Sequence, residues 1–214
     1  MIRDEAISRE DLEIGTVGAA EMEEAVGVIV RAMRDNPNIV AAFGQDPGMR
    51  HRRLLRLFGA MAAVEVPGRD RDMLAARGPD GSILGVCGMM PPGWCQPGPG
   101  RQLRLLPTLV ALGPRGAGRT MSWLGAWSKH DPHERHWHLG PVSVDAHLQG
   151  MGVGSMLMQV FCKRMDEAGE AAYLETDKEI NVRFYEKFGF EVTGEDEVLG
   201  VRNWYMFRRQ TDQG

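Results

Sequence analysis

A glycine-rich turn between a strand and a helix constrains the fold of this chain more than any other feature. The residues Val142, Ser143 and Val144 end an apolar run that is typical of a strand. The turn 149–155, with the sequence QGMGVGS, comes shortly after it. Apolar residues at helical spacing then continue as far as Ala168. A strand, a glycine turn and an amphipathic helix in this order predict an α/β protein.

The remaining apolar patterns extend this unit to a mixed α/β domain. Strands are predicted at 12–17, 73–76, 83–89, 137–144, 172–175, 190–192 and 201–208, and helices at 20–34, 49–64, 103–112, 120–129, 150–168 and 181–188. No linker divides the chain, so we interpret 1–214 as a single domain. The segment 92–136 is interpreted as a helical insert, and 137–208 as the core that contains the glycine turn.

Composition and charge exclude several classes of protein. The formal net charge of −4 argues against nucleic-acid binding, which requires a basic face. The three cysteines, Cys87, Cys95 and Cys162, form no CxxC pair and are typical of a reducing compartment. The longest uncharged stretch, 81–100, contains four prolines and cannot form a continuous apolar helix. The first residues show no apolar leader. We therefore expect a cytoplasmic protein with neither a nucleic-acid nor a membrane partner.

The glycine turn is typical of an anion site, because the first N–H groups of a helix have no intrahelical acceptor. A phosphate-binding P-loop needs a lysine directly after its glycines, whereas the next lysine here is Lys163. A dinucleotide fingerprint fits Gly150 and Gly152, but Ser155 occupies the position of its third glycine. A turn with a purely structural role remains a further alternative.

A third anion-binding pattern fits without a mismatch. The Q/R-x-x-G-x-G/A turn of acetyltransferases is matched by Gln149, Gly152 and Gly154. Further matching residues are His138 to Val144, Leu174-Glu175-Thr176, Asn181, Phe184-Tyr185-Glu186 and Gly189-Phe190. Together they resemble the GNAT superfamily of N-acetyltransferases. With Asn203-Trp204-Tyr205-Met206 near the end of the chain, the pattern looks most like the puromycin N-acetyltransferase branch.

The resemblance implies a fold, a cosubstrate and a set of site residues. It implies a mixed, mostly antiparallel twisted sheet flanked by helices, with acetyl-CoA bound by 137–208 and the acceptor side formed by 92–136. The residues that it assigns to acetyl-CoA are Val142, Ser143 and Val144 on the strand, Gln149, Gly150, Met151, Gly152, Val153, Gly154 and Ser155 in the turn, and Asn181. The strand would pair its backbone with the pantetheine arm, and the turn would hold the pyrophosphate.

Two residues are candidates for the catalytic groups. Asn181 and Tyr185 are four residues apart and share one helix face. The resemblance assigns Tyr185 to protonating the departing thiolate, and the alternative is an aromatic ring that only packs. Glu175 ends a strand expected beside the cofactor and is our candidate for the general base. Its alternative role is a hydrogen bond to the backbone or an ion pair with an arginine.

The histidines and cysteines are further candidates for functional groups. His130, His133, His136 and His138 lie within nine residues, but their spacing fits no zinc motif, so no metal site is predicted. One of the strand histidines could instead face the acceptor and assist proton removal. Cys87 and Cys162 fall in apolar segments, so no cysteine is expected to carry the acyl group, and direct transfer is predicted.

The sequence thus predicts an acetyl-CoA-dependent N-acetyltransferase that acts on a primary amine of a small molecule. Acetylation of a peptide or protein amine, transfer of a larger acyl group, and a non-catalytic acyl-CoA-binding module are the alternatives. A nucleotide-binding protein that uses the same glycine turn is a weaker one. A homodimer is compatible with the resemblance. The acceptor amine itself is the part that the sequence leaves open.

Overall fold

Seven strands form one sheet in the computed structural model, which describes residues 11–63, 73–96 and 98–210. The strands are β1 (Glu13–Thr16), β2 (Met73–Arg77), β3 (Ile83–Met90), β4 (His136–Val144), β5 (Ala171–Thr176), β6 (Glu191–Val198) and β7 (Val201–Arg208). Their order across the sheet is β1-β2-β3-β4-β5-β7-β6. All neighbouring strands run antiparallel except β4 and β5, which are parallel.

Seven α-helices accompany this sheet within the described residues. They are α1 (Met22–Met33), α2 (Pro37–Phe43), α3 (Pro47–Ala63), α4 (Pro99–Ala111), α5 (Gly113–His130), α6 (Val153–Ala168) and α7 (Glu179–Glu186). Short 3-10 turns precede α1 and follow β4. None of the helices in the described ranges is long and apolar enough to cross a membrane.

The two faces of the sheet are covered by different helices, because successive residues of a strand point to opposite sides. Leu74 and Ala76 belong to a core shared with the apolar faces of α6 and α7. Ala75, between them, belongs to a second core with α1, α2, α3 and the buried Trp123 of α5. A mixed, mostly antiparallel sheet with helices on both faces is the fold class that the sequence predicted, and the prediction is confirmed.

Several element boundaries differ from the sequence prediction, and three of the differences have identifiable reasons. Asn36-Pro37 was expected only to end the first helix, but Pro37 also begins α2, since proline is favoured in the first helical turn. Pro99 likewise begins α4 inside the segment expected to be a loop. The strand expected at 190–192 continues to Val198 because its polar residues pair with β7 at the exposed edge of the sheet. The predicted end of the second helix, at Val64, lies outside the described residues.

The insert between β3 and β4 packs over the same sheet face as α1, α2 and α3. Its helix α5 contacts α2 and β6. Trp123 and Trp127 lie one turn apart and pack edge to face, with ring centroids 5.0 Å apart, as their spacing predicted for core residues. The indole of Trp127 donates a hydrogen bond of 2.9 Å to Asn203 Oδ1 on β7. The insert is therefore anchored to the sheet at β6 and β7.

Candidate active site

Strands β4 and β5 separate near the middle of the sheet. They pair only from His136, opposite Ala171, to His138, opposite Tyr173. Beyond this point β4 pairs on its other side with β3, and β5 pairs with β7. The facing backbone edges of both strands are therefore left open to an extended ligand that pairs as an additional strand does. This is the opening in which the sequence prediction places the pantetheine arm.

The backbones of β3 and β4 approach each other closely near the point where β4 separates from β5. The register between them shifts around Gly88, opposite the cis peptide bond of Gly140-Pro141. A Cβ atom on Gly88 would lie 2.7 Å from the carbonyl oxygen of Gly140, which is closer than real contacts allow. Since backbone atoms cannot rotate away as a side chain does, a larger residue at this position would displace one of the two strands.

We expect Gly88→Ala to destabilise the protein by about 1–3 kcal/mol, the usual effect of overpacking. The matched control is Gly125→Ala on α5, where a Cβ atom would meet no atom within 4 Å. That control should stabilise the helix by roughly 0.5–1 kcal/mol, because alanine is a better helix former than glycine. Urea denaturation of both variants measures the difference. Equal stability of the two variants would contradict the close approach at Gly88.

The glycine turn leads from β4 into α6 with two left-handed residues. Gly150 has φ +84° and Gly152 has φ +91°, a region that only glycine adopts without strain. Gly154 lies inside the helix, and a Cβ atom there would make ordinary contacts of 3.6 and 3.7 Å. Glycine is therefore required by the backbone at the first two positions, whereas alanine fits at the third. This agrees with the G/A alternative in the last position of the pattern.

The N-terminus of α6 has the electrostatic character of an anion site. No side chain among the described residues caps the helix, so within that part of the chain the N–H groups of Val153, Gly154 and Ser155 lack a side-chain partner as well as an intrahelical one. The predicted residue Gln149 has another role in the turn, since its side-chain amide donates a 3.1 Å hydrogen bond to Val144 O. This contact holds the turn against the end of β4.

The two predicted residues of α7 lie in different surroundings. Asn181 is half-buried and donates a 3.0 Å hydrogen bond to the hydroxyl of Thr176, at the end of β5. Tyr185 is only 8% exposed, and its ring packs against Phe184 and Phe190. Burial, aided by the nearby Cys87 and Asp177, raises the pKa of the Tyr185 hydroxyl above its usual value. The phenol therefore keeps its proton at neutral pH, as a proton donor must.

A histidine and a carboxylate meet where β4 and β5 separate. His138 Nε2 lies 2.9 Å from Glu175 Oε2, and the Glu175 side chain is only 4% exposed. The expected alternatives for Glu175 were a base, a backbone contact or an arginine pair, and its partner is instead a histidine. Burial alone would lower the pKa of His138, but the Glu175 carboxylate and the thiol of Cys95 raise it above its usual value.

Aromatic residues surround this pair on the sheet face that carries the insert. The ring of Tyr173 packs edge to face against His138, with centroids 5.6 Å apart. His130 at the end of α5 stacks on Tyr205 of β7 at 3.8 Å. The hydroxyl of Tyr205 is buried and has no hydrogen-bond partner among the described residues. A polar ligand on this face would satisfy a group that is otherwise costly to bury.

The three cysteines differ in their surroundings. Cys87 and Cys162 are buried, and burial raises the pKa of both thiols, which fits their expected exclusion from acyl transfer. Cys95 is only half-buried and lies against His136. Burial raises its pKa, but contacts with His136 and His138 lower it below the usual value on balance. Sequence reasoning passed over Cys95, and its position in a Pro/Gly-rich loop was the available signal.

Comparison with known proteins identifies the class of protein. The model of the Acetyltransferase (GNAT) family matches residues 107–190, which include the turn, α6 and α7. A Corynebacterium glutamicum structure, titled histone acetyltransferase HPA2 and related acetyltransferase, is similar with a TM-score of 0.70 and 22% identity, over 94% of this chain and 97% of that one. At this identity the likeness concerns the fold.

Two further structures share the fold. Arylalkylamine N-acetyltransferase 2 from Aedes aegypti has a TM-score of 0.60 at 13% identity, over 92% of this chain and 97% of that chain. A GNAT family acetyltransferase from Brucella melitensis, in complex with acetyl-CoA, has a TM-score of 0.51 at 18% identity, over 95% and 92% of the two chains.

The fold and the family match define an enzyme of the acetyltransferase class. More narrowly, they support the GNAT superfamily, to which the sequence resemblance pointed. The finer resemblance to puromycin N-acetyltransferases stays a prediction.

Proposed function

We propose that the protein transfers an acetyl group from acetyl-CoA directly to a primary amine of a small molecule. The observation that carries the proposal is the position of the His138–Glu175 pair, at the point where β4 and β5 separate. A thioester bound along the open edge of β4 would end beside this pair. One face of the sheet then serves the cofactor, and the other serves the amine.

The cofactor half of the proposal rests on the turn and on the open strand edges. Segment 137–208 would bind acetyl-CoA, with the pantetheine along Val142, Ser143 and Val144 and the pyrophosphate at the start of α6. The uncapped N–H groups of α6 and the positive end of its dipole favour a phosphate there. The related fold from Brucella melitensis, which carries acetyl-CoA, supports the same cosubstrate here.

The chemistry requires one proton to leave the amine and one to reach the thiolate. As the amine nitrogen attacks the thioester carbonyl, a C–N bond forms and the C–S bond breaks. Glu175, the carboxylate of the pair, would accept the proton of the amine beside the protonated His138, and Tyr185 would donate its proton to the departing sulfur. The oxyanion needs a backbone N–H near the end of β4, and Val142 can supply one, whereas Pro141 has none.

The acceptor half rests on the surroundings of the pair on the insert side. The carboxylate of Glu175 attracts an ammonium group, and the Tyr205 hydroxyl can bond to a polar substituent. Helix α5 covers this face through Trp127 and His130, so segment 92–136 would enclose the acceptor. An enclosed site favours a small amine over a protein side chain. Related folds include an agmatine N-acetyltransferase, which acts on an amine of this size class.

We expect acetyl-CoA and CoA, but neither NAD nor ATP, to raise the thermal stability of the protein. Binding to the native state adds about 2.7 kcal/mol at a hundredfold excess over Kd. Gly152→Ala should weaken the shift because it strains a residue with φ +91°, whereas Gly154→Ala should retain it. Differential scanning fluorimetry with and without each ligand makes the measurement. A shift with NAD or ATP alone would overturn the cofactor assignment in favour of a nucleotide-binding protein.

The acceptor class is tested by CoA release with a panel of amines. Alkylamines, aromatic alkylamines and a lysine-containing peptide are compared at equal concentration. Turnover with the small amines supports the proposal, and turnover with the peptide alone would favour a peptide or protein substrate. Binding of acetyl-CoA without turnover on any amine would favour the non-catalytic module. Sedimentation of the same sample tests the predicted homodimer.

A further inference from the structure

Three potential metal ligands converge beside the start of β4. Cys95 comes from the loop after β3, Asp131 directly follows α5, and His136 is the first residue of β4. His136 Nε2 lies 3.5 Å from Cys95 Sγ and 3.1 Å from Asp131 Oδ1. The three ligand atoms all lie within 4.8 Å of one another. Three separate segments thus bring a thiol, a carboxylate and an imidazole to one point.

Two of these separations match edges of a zinc coordination tetrahedron. With Zn–S about 2.3 Å and Zn–N and Zn–O about 2.0–2.1 Å, tetrahedral angles place S and N roughly 3.6 Å apart and N and O roughly 3.3 Å apart. The observed distances are 3.5 Å and 3.1 Å. A metal ion could therefore sit between the three atoms with little movement of the side chains.

The hydrogen bond of the other ring nitrogen of His136 also supports a metal site. Nδ1 lies 2.7 Å from the backbone carbonyl oxygen of Glu134, which can only accept, so Nδ1 carries the proton. In the neutral ring Nε2 then presents a lone pair to the thiol of Cys95 and a carboxylate oxygen of Asp131. A ring with a second proton would donate it to the carboxylate, and a neutral ring can bind a cation that lies between the two groups. A carbonyl on the distal nitrogen is also the usual way in which a metal-binding histidine is oriented.

A second layer of contacts holds the carboxylate in place. The other oxygen of Asp131 accepts a 3.3 Å hydrogen bond from the amide of Gln96, the neighbour of Cys95. Gln96 in turn accepts a 2.6 Å hydrogen bond from Ser128 on α5. The His136 and Asp131 side chains are only 5% and 17% exposed. The cluster nevertheless lines a pocket with Pro92, Gly93 and His133, so an ion could enter from solvent.

We propose that Cys95, Asp131 and His136 bind one zinc ion, with a fourth position that opens to the pocket for water or another ligand. A thiolate and an imidazole together favour zinc over the hard cations magnesium and calcium, which take oxygen ligands. The ion would fasten the loop that contains Cys95 to the start of β4, two residues before His138. Because Cys95 also contacts His138, the site is tested by metal binding and not by acetyl transfer.

The test is metal binding by the intact protein after treatment with a chelator. Zinc is titrated against a chromophoric competitor, and cobalt is used as a spectroscopic probe of the thiolate and of the coordination geometry. We expect one equivalent of zinc, a thiolate-to-cobalt charge-transfer band and the intense visible bands of tetrahedral cobalt. Zinc should also raise the denaturation temperature of the wild type.

The variants separate this site from adventitious binding. Cys95→Ser should abolish the charge-transfer band. Asp131→Asn should lower the affinity for zinc by more than the roughly 10–100-fold that follows the loss of a residue that is hydrogen-bonded to a metal ligand. His51→Gln on α3, outside the cluster, is the matched control and should bind as the wild type does. Thermal denaturation without metal shows whether each variant is folded. A wild type that binds no zinc, or a folded Cys95→Ser variant that binds it equally well, would overturn the proposal.

Discussion

Replacing Glu175 by glutamine is expected to lower kcat by about 10²-fold or more, the usual contribution of a positioned acid–base group. Glutamine keeps the shape of the buried side chain but removes the charge that lies 2.9 Å from His138. The imidazole then loses the partner that orients it and stabilises its protonated form. The measurement is steady-state CoA release with a competent amine, and the KM for acetyl-CoA should stay unchanged.

The control for this prediction is another carboxylate on a neighbouring element. Glu179 is exposed on α7 and pairs with Arg183, one turn along the same helix. Glu179→Gln should therefore leave kcat unchanged. His138→Gln should reduce kcat about as much as Glu175→Gln, and the double variant should be little worse, because residues that act as a unit are not additive. Full turnover by a folded Glu175→Gln enzyme would disprove the role of the pair.

Tyr185→Phe is expected to reduce kcat by roughly 10²-fold while leaving both KM values near those of the wild type. The variant loses only the hydroxyl, so the ring that packs against Phe184 and Phe190 remains. Because burial raises the pKa of Tyr185 above its usual value of 10.0, the hydroxyl stays protonated throughout the neutral range. The rate should therefore show no alkaline loss from this group until the pH exceeds that value.

Stability and binding measurements on the same variant separate catalysis from packing. If the hydroxyl acts on the thiolate, the denaturation temperature and the shift caused by acetyl-CoA should match those of the wild type. If Tyr185 only packs, which is the alternative considered from the sequence, kcat should be unaffected. A Tyr185→Phe enzyme with full turnover would therefore remove this residue from the mechanism.

The separation of β4 from β5 explains why the proposed catalytic groups come from both faces of the sheet. Tyr185 belongs to the core that α6 and α7 form on one face. His138 and Tyr173 face the aromatic residues under the insert on the other. A thioester held between β4 and β5 would be reached by the acid from the first side and by the amine from the second. The two proton transfers would then involve separate groups, with no proton passing from the base to the acid.

Local signals in the sequence determined the glycine turn and the elements on either side of it. Glycine is demanded by the backbone at Gly150 and Gly152, and the apolar spacing of α6 continues to the Gly169 cap, so neighbouring residues alone specify these features. The apolar runs in β2, β3 and β7 are equally local signals. The match of Gln149, Gly152 and Gly154 to the acetyltransferase pattern follows from such signals.

Contacts between distant segments were decided only by the tertiary structure. His138 contacts Glu175 because a crossover through α6 sets β4 parallel to β5. The pair lies at the point where the two strands separate. Cys95 meets Asp131 and His136 because α4 and α5 return the chain to the start of β4. Periodicity and turn chemistry depend on neighbours in sequence, whereas the meeting of these side chains depends on strand register and helix packing, which no local pattern encodes.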